Sequence, residues 1–166
     1  MKVAPISAGA FRDVMARTPA AVHVVTTAGP AGRGGFTASA VASVSDAPPT
    51  ILVSVHRAAR SNALIRENGV MAVNLLARGQ GDIADVFSGR RGLAGEARFA
   101  QGRWGTLETG APVLGGAVAT LDCRVVGEAE VATHTVFFAE VVAVTQPTDL
   151  PALVYFDRGF GGATRD

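Results

Sequence analysis

The chain has 166 residues, 48% of them apolar and 17% charged, with 15 Lys and Arg balanced by 14 Asp and Glu. That length suits a single domain over residues 1–166 with a sizeable core, and the lack of any basic or acidic block argues against nucleic-acid binding. No apolar run is long enough to span a membrane, Arg12 and Asp13 interrupt the stretch a signal peptide needs, and one cysteine, Cys123, makes neither a disulfide nor a thiolate metal cage, so a cytoplasmic protein is expected.

The first pattern in the chain is a short amphipathic helix. Ser7 can cap it, Phe11, Val14 and Met15 share one face, and Thr18-Pro19 ends it. A Val- and Thr-rich strand follows over Ala21–Ala28, then a glycine-rich turn through Gly35. A second strand is predicted from Phe36 to about Ser45, broken by Asp46-Ala-Pro-Pro49, and a third over Thr50–His56. Ser61 reads as the N-cap of a helix that stops at Asn68-Gly69. Val70–Leu76 is predicted as a buried strand and Asp82–Phe87 as a short helix. Residues 88–112 show no regular period. Ala117–Val131 and Thr133–Thr145 then alternate as the two long strands of a hairpin, and the aromatic tail runs from Ala152 to Gly162. Six or so strands with only short helices predict a mainly antiparallel sheet, curled into a small barrel with helices packed on it.

Most standard catalytic signatures are missing. There is no Gly-x-Gly-x-x-Gly after a strand, no Walker loop and no nucleophile elbow, and His23, His56 and His134 lie far apart in sequence without carboxylates at metal-ligand spacing. No metal site is expected. Cys123 reads as a small buried side chain, and Phe99 and Trp104 as packing residues.

Two segments carry more chemistry. In Gly35-Phe-Thr-Ala-Ser-Ala-Val-Ala-Ser-Val-Ser45, hydroxyls alternate with apolar residues, and the small side chains would let a flat ligand approach the backbone. The same pattern also describes an edge strand with a solvated hydroxyl face. In His56-Arg-Ala-Ala-Arg-Ser-Asn-Ala-Leu64 a strand leads into a helix start, where free amides, Arg57 and Arg60 could converge on an anion such as a phosphate monoester. An ordinary capped surface helix fits that segment equally. Taken together, the two point to a planar phosphorylated ligand, with a flavin nucleotide as the first candidate.

These segments, with Ser-Val-Ser-Asp-Ala-Pro-Pro49, Arg60-Ser-Asn62, Val70-Met-Ala-Val-Asn-Leu-Leu76, Gly110-Ala-Pro-Val-Leu114, Leu121-Asp-Cys-Arg124, Thr133-His-Thr-Val-Phe137 and Tyr155-Phe-Asp-Arg-Gly-Phe160, resemble the short-chain flavin reductases. Those proteins are the reductase components of two-component flavin monooxygenases. The resemblance implies a split β-barrel, usually a homodimer, that binds FMN or FAD and oxidises NADH or NADPH. It implies that Thr37, Ala38, Ser39, Ser43, Val44 and Ser45 line the isoalloxazine and ribityl chain. Arg60, Ser61 and Asn62 would take the phosphate, and Asn74 and Leu75 would flank the ring. His134, with Tyr155, Phe156, Asp157 and Arg158, would face the nicotinamide. Many members carry Gly-Asp just before the histidine, where this chain has Ala132-Thr133. The implied reaction is hydride transfer from C4 of the reduced nicotinamide to N5 of the flavin. Two alternatives accompany it, a non-catalytic flavin carrier and a flavin-bound reductase of another acceptor such as a corrinoid.

Overall fold

A computed structural model describes residues 4–164. Helix α1 (Ala8–Ala16) starts at Ser7, whose hydroxyl accepts from the Ala10 N–H at 3.1 Å. Then follow β1 (Ala20–Ala21), β2 (His23–Thr27), β3 (Gly34–Ala38), β4 (Val41–Asp46), β5 (Pro49–His56), α2 (Arg60–Asn68), β6 (Val70–Leu75) and α3 (Gly81–Phe87). The rest comprises β7 (Trp104–Gly105), β8 (Val113–Leu114), β9 (Ala119–Val131), β10 (His134–Val144), β11 (Ala152–Phe156) and β12 (Gly159–Ala163). Short 3₁₀ turns occupy Arg78–Gln80 and Gly95–Ala100.

Seven strands form one antiparallel sheet in the order β3-β2-β6-β9-β10-β5-β4. Strands β3 and β4 are consecutive in the chain yet lie at opposite edges, and only Ser39 and Ala40 separate them. A two-residue link cannot cross a flat seven-stranded sheet, whose neighbours are about 4.8 Å apart. The sheet therefore curls to bring its two edges near each other, and the Ser54 N–H donates to Ala40 O at 3.0 Å, carrying the β5–β4 ladder on to the link. The result is the expected split barrel.

Alternation along the strands sorts the core into two layers. Val25, Val53, Met71, Val73 and Phe137 fill the barrel. Val24, Leu76, Phe87, Leu114 and Leu153 pack outside it, beneath α3 and the tail hairpin. β2 and β6 are covered on both faces, so nearly every residue of each is buried, and β6 reads as a nearly continuous apolar run.

Two expectations change. The single strand predicted over Phe36–Ser45 is two strands on opposite edges, broken at Ser39-Ala40, because the chain crosses the barrel seam there. The N-cap of α2 is Ala59 and not Ser61, which lies buried inside the first turn. The irregular region carries an aromatic cluster, with Phe87, Phe99 and Trp104 ring centres 5.1–5.4 Å apart, as expected of packing residues.

Candidate functional site: two clefts along one strand

Strand β3 borders two clefts of contrasting chemistry. The first is built from three segments. Arg33, Gly34 and Gly35 enter β3; Arg60, Ser61 and Leu64 belong to α2; Ala94, Gly95 and Arg98 come from the 3₁₀ turn. Its three guanidinium groups are held differently. Arg33 pairs with Glu96 and lies 4.2 Å from the Phe99 ring centre. Arg98 donates to Leu93 O (2.9 Å), Gly35 O (3.0 Å) and Phe87 O (3.3 Å), pinning the turn to β3. Arg60 has no ion pair or side-chain hydrogen bond among the described residues.

The helix α2 has no acidic residue in its first turn and no side-chain cap, so its positive end faces this cleft uncompensated. Hydrogen bonds from Arg33 hold the Glu96 carboxyl below its usual range, so Glu96 stays ionised and offsets one of the three positive charges. Gly35 is required here, since a Cβ would come within 2.8 Å of Val25 O and 3.0 Å of the Phe87 ring. The arrangement can bind a compact anion.

The second cleft begins at Thr37, two residues along β3 from Gly35, roughly 7 Å away at the rise of a strand. Val22, Thr37, Ala38 and Ser39 form its floor, with Ser88 and Arg90 on one side and Tyr155 and Phe160 on the other. The two tail rings meet edge to face at 5.7 Å, and Arg90 stands 5.9 Å from the Phe160 ring centre while pairing with Asp85 at 3.3 Å. Thr37 turns its hydroxyl away to donate to Ala84 O at 2.6 Å, so small side chains and backbone face the cleft. These walls suit a flat, mostly apolar group.

His23 pairs with Ala38 across the ladder just beneath this floor. Its Nδ1 is buried without a partner, and burial pushes its pKa below the ordinary 6.5. His134 opens β10 at the head of the long hairpin. The Arg57 N–H donates to Thr133 O at 2.9 Å, so His134 sits against the turn that feeds α2 and Arg60.

Not every expected residue comes to these clefts. Asn74 is fully buried, its Nδ2 donating to Val24 O (2.9 Å) and its Oδ1 accepting from Leu114 N–H (2.8 Å) and the Thr120 hydroxyl (3.0 Å). It ties β6 to β2, β8 and β9 and has no group left for a ring. Leu75 is committed to the ladder between His23 and Ala119. Asn62 is buried and donates to Val55 O at 3.3 Å. Ser43, Val44 and Ser45 lie on exposed β4 and line neither cleft, because the seam carries them to the far edge. Of the four expected tail residues, Tyr155 to Arg158, only Tyr155 reaches a cleft. Phe156 is exposed beside Arg17, Asp157 pairs with Arg17 at 2.9 Å, and Arg158 pairs with Asp13, so these three anchor α1. The Cys123 thiol, buried and beside Asp122, is pushed up to about 12 and is chemically quiet.

Other lining residues escaped sequence reasoning. Arg33, Arg90, Gly95 and Arg98 sit in segments without periodicity, and an arginine there gives no local sign of where it folds back.

Comparison with known proteins decides the family. A flavin reductase like domain matches residues 15–164. The chain belongs to that family. It is 48% identical over 159 residues to the FMN reductase (NADH) RutF of Ancylobacter novellus, covering 96% of this chain and 87% of that relative. The RutF of Stutzerimonas stutzeri is 45% identical, with 96% and 90% covered. Among solved structures, the NADH:FAD oxidoreductase SgcE6 of Streptomyces globisporus superposes with a TM-score of 0.89 at 30% identity, covering 99% of this chain and 98% of that one. The styrene monooxygenase flavin reductase of Pseudomonas putida S12 gives 0.81 at 28%, covering 94% and 99%. The protein is thus an oxidoreductase of the flavin reductase family, passing hydride from a reduced nicotinamide nucleotide to flavin.

Proposed function

We propose that the protein is an NADH-dependent FMN reductase whose arginine-lined cleft takes the flavin phosphate. The observation that carries this reading is the convergence of Arg33, Arg60 and Arg98 on the uncapped start of α2, beside the Gly34-Gly35 pair that opens β3. The residues present fit a flavin nucleotide. Guanidinium forks and helix amides match a phosphate monoester, and the small floor and aromatic wall of the second cleft match a ring. Bound flavin supplies the hydride-accepting chemistry, with reduced nicotinamide as donor.

Within that frame, Arg60 and Ser61 anchor the phosphate, with Arg33 and Arg98 as further cations. The Thr37–Ser39 backbone supports the ring and the Tyr155 wall keeps water from it. His134 orients the nicotinamide and need not move a proton. The preference for FMN and NADH rests on the named relatives above 40% identity. By analogy with the monooxygenase reductase among the structural relatives, reduced flavin passes to a partner monooxygenase. A homodimer accounts for α1, whose Phe11, Val14 and Met15 remain exposed and none of whose residues is buried.

The test is NADH oxidation at 340 nm by dialysed protein given FMN or FAD separately. Oxidation that saturates with FMN, with FAD or NADPH clearly poorer, is the expected result. Flavin binding without consumption of NADH overturns the reading.

A further inference from the structure

Strand β5 ends at His56, directly opposite His134 in the antiparallel ladder. The two imidazoles meet edge to face, with centres 5.1 Å apart and planes at 76°. Such a contact sets the ring hydrogens of one partner against the π face of the other and so fixes their relative orientation. Each ring is also held at its Nδ1. His56 Nδ1 accepts from the Ala58 N–H at 3.1 Å, which places the His56 ring hydrogen on Nε2. His134 Nδ1 lies 2.9 Å from the Thr133 hydroxyl.

Arg57 is taken up by Glu130 at 3.2 Å, and its backbone N–H is bonded to Thr133 O. The Ala59 N–H donates to His56 O at 3.0 Å, so the turn from His56 runs straight into α2 and Arg60. His56 thus touches His134 and also shapes the turn leading to the arginine cleft.

We propose that His56 is a positioning residue of the reductase, its ring holding His134 in the orientation that receives the nicotinamide of NADH. The inference rests on the reading that His134 contacts the nicotinamide.

The test compares His56→Asn, His56→Phe and His134→Ala in the full-length protein, measuring KM for NADH, kcat and FMN affinity. Asparagine can still accept from the Ala58 N–H but has no ring, whereas phenylalanine keeps a ring and cannot accept. The expected result is a KM for NADH raised about three- to tenfold in His56→Asn, the scale of one aromatic pair. In that variant kcat and FMN affinity stay near wild type, and His56→Phe restores KM to within about twofold. Unchanged KM in His56→Asn, or no rescue by His56→Phe, overturns the proposal, because the residue then acts through the turn or not at all. If His134→Ala leaves KM for NADH unchanged, the underlying reading fails first. If His134→Ala raises it and His56→Asn does not, only the present inference falls.

Discussion

The two clefts beside β3 are separated by a single residue of the strand, Phe36, yet they are lined in opposite ways. One gathers three guanidinium groups and the open end of a helix around glycines. The other sets small strand residues against Tyr155 and Phe160, with Arg90 already paired to Asp85. A flavin nucleotide has the same asymmetry, a dianion at one end and a flat ring at the other. One strand can serve both ends because its two halves are covered by different elements, α2 and the 3₁₀ turn for the first, α3 and the tail hairpin for the second. The contrast separates residues that bind from residues that merely hold the walls in place.

The largest expected effect tests a residue that belongs to neither cleft. Asn74→Leu would strand the Leu114 N–H, the Thr120 hydroxyl and Val24 O in the core. At about 1 kcal/mol or more for each buried group left unpaired, stability should fall by about 3 kcal/mol, lowering Tm by roughly 6–12 °C. The folded fraction should still prefer FMN to riboflavin as wild type does. A selective loss of ring affinity without loss of stability would return Asn74 to the binding site.

Next in size is a contrast within the arginine cleft. Arg98 spends its guanidinium on three backbone carbonyls, so Arg98→Ala should cost about 2–3 kcal/mol in urea unfolding, by the same accounting of lost bonds. Arg60 has no partner to lose among the described residues, and Arg60→Ala should leave stability within about 0.5 kcal/mol. Equal losses would erase the distinction between wall and ligand.

A shallower effect belongs to the apolar cleft. Burial lowers the pKa of His23 in the folded protein below the 6.5 of a free histidine. Above that pH both states are neutral at this site and full stability is present. As pH falls below 6.5 the unfolded chain takes up the proton first, and stability declines until the folded-state value is passed. Melting temperatures followed downward from about pH 7.5 should show this decline, and His23→Gln should flatten it, since an amide does not titrate.

The smallest effect is a backbone control in the turn of the long hairpin. Ala132 holds a left-handed backbone, φ 49°, in the turn before His134. Ala132→Gly should raise stability by about 0.5–1 kcal/mol, because glycine adopts that conformation without a Cβ clash. A drop in chemical-denaturation midpoint would contradict this account of the turn.

Much of the architecture was legible because it rests on local signals. The cap at Ser7, the Asn68-Gly69 stop and the long hairpin all fall within one or two residues of their predicted places. The seam at Ser39-Ala40 was not, since only the order of strands in the sheet reveals that an unbroken alternating pattern changes edges. The site divides in the same way. Arg60, Ser61 and Thr37 to Ser39 sit in contiguous motifs and were readable, whereas Arg33, Arg90 and Arg98 reach the clefts through tertiary folding of irregular loops. Asn74 shows the reverse case. It belongs to a motif that carries the family likeness, yet its amide is spent on joining four strands.

The most direct test of the phosphate assignment is the pair of dissociation constants for FMN and riboflavin, measured in wild type and in Arg60→Ala. The two ligands differ only by the phosphate, so their ratio reads that contact alone. Wild type should bind FMN at least tenfold more tightly, and Arg60→Ala should weaken FMN by roughly ten- to a hundredfold while leaving riboflavin nearly unchanged, the range for a charge-assisted contact. A ratio that does not move on removal of Arg60 would contradict the assignment of this cleft.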